Sequence, residues 1–97
     1  MKYEVVTTDI FVRWARRLKD RQVAKIIALR IARARAGNLG DVAPVGEGVS
    51  EMRIFVGKGY RLYFKKKGRQ LIVMLCGGDK STQHADIKQA KAMARSI

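Results

Sequence analysis

Two arginines, Arg53 and Arg61, sit inside short stretches where apolar and polar residues alternate. In 51–56, Met52, Ile54 and Val56 share one side, and Glu51, Arg53 and Phe55 share the other. In 60–65, Tyr60, Leu62 and Phe64 oppose Arg61, Tyr63 and Lys65. Both arginines therefore point away from a core of Met52, Ile54 and Leu62, and adjacent antiparallel strands would set them side by side. A guanidinium is a planar fork that matches phosphate oxygens, so such a pair suits a phosphodiester and extra charge on its phosphorus. Each arginine could equally be half of a structural ion pair with Glu51. That carboxylate can accept a proton or orient Arg53; beside two arginines it is a poor base, which favours orientation. Lys80 follows the Gly77-Gly78 turn at the start of a helix, where an ammonium could contact phosphate or simply be solvated. His84, the single histidine, lies one helical turn further on. An imidazole ordinarily titrates at about 6.5, which suits proton transfer, although a lone surface histidine more often has no such role. Tyr63 shares the face of Arg61 and is the better candidate for stacking on a base, whereas Tyr60 shares the face of Leu62 and belongs with the core. Lys65, Lys66, Lys67 and Arg69 form a basic turn that could meet RNA phosphates. Asp79 and Gln83 read as helix caps or buttresses of Lys80, with capping favoured.

The elements that must position these residues follow from periodicity. Residues 2–7 are rich in β-branched side chains and read as a strand. Thr8 or Asp9 can cap a helix in which Phe11, Trp14, Ala15 and Leu18 form a core stripe. Asp20 can cap a second helix, with Val23, Ile27, Ile31 and Ala34 inside, ended by Gly37-Asn38. Beyond Gly40 the period becomes two. A short strand is expected at 41–45, then strands at 51–56 and 60–65 around a Gly57-Lys58-Gly59 hairpin loop. Residues 71–76 are unbroken apolar, as in a central strand covered on both faces. Ser81 or Thr82 can cap a last helix that buries Ile87, Ala90, Ala94 and Ile97 and exposes Lys88, Lys91 and Arg95. The order β–α–α–β–β–β–β–α gives an α+β class: a curved antiparallel sheet of four to five strands, a helical hairpin on one face and a C-terminal helix.

Composition narrows the partners. The 97 residues fit one domain, 1–97, and a 47% hydrophobic content is enough for a packed interior. Twenty-one Lys and Arg face eight Asp and Glu, a formal charge of +13. Such an excess draws in polyanions, nucleic acid above all. One cysteine, Cys76, excludes an internal disulfide and sits in the apolar run as a buried thiol. No acidic cluster is available to hold a metal, so neither a metal nor a cofactor is expected. With no apolar run of about 18 residues and no signal-peptide pattern, no membrane partner is expected and the cytoplasm is the expected compartment.

The segments Gly37-Asn38-Leu39-Gly40-Asp41, Val45-Gly46-Glu47-Gly48-Val49-Ser50-Glu51-Met52-Arg53 and Gly59-Tyr60-Arg61-Leu62-Tyr63 occur together and in order. With Leu75-Cys76-Gly77-Gly78-Asp79-Lys80-Ser81-Thr82-Gln83, Asp86-Ile87 and Ala90, they resemble the addiction-module killer, HigB-like branch of the RelE/ParE toxin superfamily. The likeness covers nearly the whole chain. It implies a RelE-like fold and a toxin of a type II toxin–antitoxin system, acting as a metal-independent endoribonuclease on ribosome-bound mRNA. The wider group also contains gyrase poisons, and a shared scaffold does not fix function. A non-enzymatic gyrase poison and a degenerate toxin acting at an operator therefore stay open. In the nuclease reading the ribose 2′-oxygen attacks phosphorus, and cations hold the added charge. The resemblance adds weight to Arg53, Arg61 and Lys80 as site residues. It also implies an acidic cognate antitoxin of the helix-turn-helix kind, with the ribosome and mRNA as targets and operator DNA reached only through the antitoxin.

Overall fold

A computed structural model describes residues 2–97. The chain runs through β1 (Glu4–Thr7), α1 (Asp9–Arg16), α2 (Arg21–Arg35), β2 (Val42–Gly46), β3 (Val49–Ile54), β4 (Tyr60–Lys67) and β5 (Leu71–Gly78). A short 3-10 turn, Lys80–Thr82, then leads into α3 (Gln83–Arg95). Element types and order match the sequence reading, including the short strand before β3.

The five strands form one sheet in the order β1-β5-β4-β3-β2. β2 to β5 are antiparallel neighbours, as tight turns require. The expectation of a wholly antiparallel sheet fails at β1, which pairs in parallel with β5. The reason is the helical hairpin: α1 and α2 carry the chain from β1, at one edge, to β2, at the other. β1 is thereby left to close on the last strand, in the same direction. The sheet is mixed.

Helices cover both faces. On one, Phe11 of α1 and Val23, Ile27, Ile31 and Ala34 of α2 pack against Met52, Ile54, Leu62, Phe64, Ile72 and Met74. On the other, Ala90 and Ala94 of α3 cover Val49, Tyr63, Val73, Leu75 and Cys76. Register explains the odd pair of neighbours in β5. Tyr63 and Phe64 face Cys76 and Met74, so Leu75 is an extra residue in β5. A bulge of this kind lets Leu75 and Cys76 both reach the α3 side.

Caps fix the helices to the sheet. Thr8 Oγ1 accepts from the Phe11 amide (3.0 Å) and donates to the Leu75 carbonyl (2.7 Å), which ties the start of α1 to β5. Asp20 accepts from the Gln22 and Val23 amides. Thr82 stands at the N-cap position of α3 without a side-chain cap bond, and Asp79 caps the 3-10 turn before it by accepting from the Ser81 amide at 2.8 Å. Ser81 lies inside the 3-10 turn, and Thr82 turns its hydroxyl to Asp86 instead. The two glycines that end β5 admit close neighbours. A side chain at Gly77 would strike the Trp14 ring, and one at Gly78 would strike Asp86 and Thr82. Among the described residues no helix is long and apolar enough to cross a membrane.

Candidate functional site

β3 and β4 place Arg53 directly opposite Arg61 and Glu51 directly opposite Tyr63. Alternation sends all four side chains to the α3 side. Two like charges facing each other across a strand pair repel, so something must offset them. Each arginine has its own carboxylate. Arg61 Nε lies 3.3 Å from Glu51 Oε2, and Arg53 Nε lies 3.3 Å from Asp41 Oδ2. In neither pair does the Nε–H aim well enough at the oxygen to make a hydrogen bond. The ion pair expected between Glu51 and one of the arginines is present, but with Arg61; the orientation of Arg53 by Glu51 is not. Glu51 serves Arg61, and Asp41 of the loop before β2 serves Arg53.

The two pairs sit in different surroundings. Glu51 is 6% exposed and accepts a further hydrogen bond from Gln83 Nε2 at 3.2 Å. Gln83 is thus neither a cap nor a buttress of Lys80; it holds Glu51 from the first turn of α3. Arg61 also donates from Nη1 to the Gly59 carbonyl at 2.8 Å. A carboxylate held by Gln83 and set beside Arg61 fixes the guanidinium. Arg53 is more open: its side chain is 35% exposed and its partner Asp41 is 42% exposed. The Arg53 peptide, by contrast, is clamped. Its N–H donates to the Asp41 carbonyl (2.9 Å), and its carbonyl accepts from Arg30 Nη1 (2.9 Å). Arg30 also donates from Nη2 to the Leu39 carbonyl, at 3.3 Å, so it braces the loop that carries Asp41. Nothing in the sequence pattern singles out Arg30, because in a helix with cations on its outer side it reads as one more solvated charge.

Lys80 joins the pair. Its Cβ and Arg61 Nη1 both lie 3.5 Å from the point where a Gly59 side chain would begin, so the two converge on Gly59. Its backbone amide donates to the Lys58 carbonyl at 3.3 Å, which fastens the start of the 3-10 turn to the β3–β4 loop. The Lys80 side chain is exposed. Asp79, next to it, is held below the ordinary carboxylate range by the hydrogen bond from the Ser81 hydroxyl above all.

Other expected site residues fall elsewhere. Tyr63 is 0% exposed, buried beneath α3, and cannot stack on a base. It does lie on the arginine side, as alternation requires, but α3 covers that part of the face. The Tyr63 hydroxyl has no hydrogen-bond partner, and burial, followed by the charge on Glu51, pushes its ionisation well above the usual range. Lys65 is withdrawn from the basic turn. Its ammonium donates to the Ala94 carbonyl (3.0 Å) and the Ile97 carbonyl (3.3 Å), satisfying the end of α3. Lys66 lies 5.3 Å from the centre of the Tyr3 ring. Lys67 and Arg69 are exposed, but they lie at the far end of β4 and its turn from Arg61. At about 3.3 Å per residue, six residues of strand put Lys67 roughly 20 Å from Arg61. His84 lines a groove with Glu47, Ile87, Lys88, Lys91 and Arg95, on the outer side of α3. In that groove Lys91 and Arg95 both pair with Glu47, so they are not a free basic row.

One large aromatic is open to solvent just beyond β3: Phe55 is 81% exposed. The Val56 amide donates to the Ile54 carbonyl (2.9 Å), so the strand turns at Phe55 and alternation with Arg53 ends there.

Two further titratable groups, the buried Cys76 on β5 and the half-buried Asp86 on α3, lie beneath the start of α3. Burial, then the charge of Asp86, pushes the Cys76 thiol up to about 12. Burial also raises Asp86, partly offset by its hydrogen bond from Thr82. Cys76 is buried and inert, as expected.

The chain is 44% identical to an uncharacterized protein of Haemophilus influenzae over 97 residues, which are all of this chain and 98% of that protein. The chain belongs to that protein's family. No protein-family model matches it. What the site can do follows from its own chemistry: Arg53 and Arg61 face each other across β3 and β4, each beside a carboxylate, and the Lys80 side chain starts next to Arg61 at Gly59.

Proposed function

We propose that the protein is a RelE/ParE-type toxin with a RelE-like fold, which cleaves mRNA on the ribosome and so halts translation. The observation that supports this best is the facing pair Arg53 and Arg61 with Lys80 beside Gly59. A guanidinium pair with only partly satisfied donors can take the non-bridging oxygens of a phosphodiester and hold the charge that grows as the 2′-oxygen attacks phosphorus. Asp41 is exposed enough to give way to that phosphate, whereas Glu51 stays and keeps Arg61 aimed. Lys80 is the flexible cation for the leaving 5′-oxygen. Glu51 is engaged twice over and His84 lies in another groove. Positioning and charge stabilisation therefore fall to the protein, and removal of the 2′-proton falls to solvent or to a group of the ribosome. In this reading the partners are ribosome and mRNA in the cytoplasm, an acidic helix-turn-helix antitoxin, and operator DNA through that antitoxin only.

The lack of an unengaged base next to the arginines favours one second reading, a non-enzymatic toxin that poisons gyrase. Induction in bacterial cells without antitoxin separates the two. New transcript 5′ ends inside translated frames, absent when initiation is blocked, are the expected result. Intact mRNA with a DNA-damage response would replace the nuclease with the gyrase poison.

A further inference from the structure

A groove of about 570 Å³ runs between the α1–α2 corner and the β3–β4 loop and reaches Asp79, the residue before Lys80. Its walls carry Trp14, Tyr60, Arg17, Lys19 and Lys58. The two rings stand 6.5 Å apart at 58°. The three cations are exposed and enter no ion pair or side-chain hydrogen bond among the described residues. The two acids that also line the groove are already engaged as caps: Asp20 by the Gln22 and Val23 amides, Asp79 by the Ser81 amide. Three cations and two acids line the groove, so a net positive charge of one surrounds an aromatic wall, and Lys58 stands close enough to Asp79 to help hold its carboxylate ionised. Trp14 and Arg17 also line a second groove of about 430 Å³ beside Gly77, so the open surface continues past the indole.

We infer that this groove is a binding track for single-stranded RNA, with Trp14 and Tyr60 meeting bases and Arg17, Lys19 and Lys58 meeting phosphates. The inference rests on the proposed function for its direction, because the track adjoins the candidate site. Lys58 lies in the groove, its carbonyl accepts from the Lys80 amide, and the next residue's carbonyl accepts from Arg61. A strand whose phosphate sits at Arg53 and Arg61 can cross the loop and lay its neighbouring nucleotides in the groove. Aromatic rings interleaved with cations suit bases and phosphates in alternation. An acidic peptide would use the cations and leave the rings without a role.

Trp14 is the only tryptophan in the chain, so its emission reports on the groove directly. The full-length protein is titrated with a short 2′-O-methylated oligouridine, which lacks the attacking hydroxyl and cannot be cut. Saturable quenching of Trp14 is expected. The triple variant Arg17→Gln, Lys19→Gln, Lys58→Gln should bind at least about tenfold more weakly. Its salt dependence should be shallower by about 0.7 in log–log slope for each phosphate that is no longer neutralised. The control triple Lys25→Gln, Arg33→Gln, Arg35→Gln removes the same charge from α2 and should weaken binding much less. Equal weakening in the two triples, no quenching, or equal quenching by polyglutamate would each overturn the track. Cleavage in cells without oligouridine binding would sink the groove and spare the nuclease. Binding without cleavage would spare the groove and sink the nuclease.

Discussion

Both faces of the sheet are covered by helices but hide different chemistry. Under α1 and α2 the buried side chains are apolar throughout, from Phe11 and Ile27 to Leu62 and Met74. Under α3 the apolar cluster gives way, toward the start of the helix, to the buried Glu51 and Tyr63 hydroxyl and to the half-buried Arg61 and Asp86. Burying such groups costs free energy unless each is paired, and the pairing here is incomplete: the Tyr63 hydroxyl and the Nε groups of both arginines lack well-aimed partners. One face is arranged for stability. The other holds charge in place at some cost, which is what a site for an anion requires.

That contrast can be broken first at Glu51. Removing one member of a buried ion pair leaves the other uncompensated, and Glu51→Ala should destabilise by up to about 3 kcal/mol, read as a lower urea midpoint. Glu51→Gln keeps the shape and should cost less. If Glu51→Ala unfolds no earlier than the parent, the carboxylate does not hold Arg61 and the account of this face is wrong. Phe55→Ala makes the opposite kind of change. The side chain is exposed, so stability should stay within about 0.5 kcal/mol. A role in stacking beside Arg53 would lower mRNA cleavage by roughly tenfold, within the ~1–3 kcal/mol a stacked base is worth. An unchanged rate would leave Phe55 without a function.

Smaller effects sharpen the same comparison. Asp86 has its folded-state ionisation raised, chiefly by burial. The folded protein thus holds this proton more tightly than the unfolded chain does, so the group favours folding at acid pH and opposes it as pH rises through the raised value. Asp86→Asn should therefore match or exceed the parent in stability at neutral pH, with the difference closing in acid. A variant that is less stable at neutral pH would mean that the Thr82 bond outweighs burial. Tyr63→Phe removes a hydroxyl that has no partner, and stability should change by no more than about 1 kcal/mol, in either direction. Cleavage should persist; its disappearance would return Tyr63 to the site.

Most of the architecture is legible in the sequence because periodicity reports which side of an element is buried. It places each helix and strand, the caps at Thr8 and Asp20, and the shared face of Arg53 and Arg61. Periodicity does not report what lies above a face. It puts Tyr63 on the arginine side, which is right, and suggests that the ring meets solvent, which is wrong, because α3 closes over Tyr63 while Arg53 stays partly open. The direction of β1 is hidden for a related reason: its neighbour is chosen by where the helical hairpin delivers the chain. Long side chains are the least legible. Lys65 reaching the end of α3, Arg30 bracing Arg53, and the exchange of partners that gives Arg61 to Glu51 and Arg53 to Asp41 all join residues separated along the chain.

The central claim is that the facing arginines act on mRNA held in the ribosome. Its most direct test is cleavage of a defined mRNA by purified protein, with and without ribosomes, for the parent and for Arg61→Ala, after thermal melting has shown that the variant folds. Cuts should require ribosomes and fall by at least about a hundredfold in Arg61→Ala, the scale of losing one charge-stabilising donor. Equal cutting by the folded variant, or no cutting by the parent on programmed ribosomes, would contradict it.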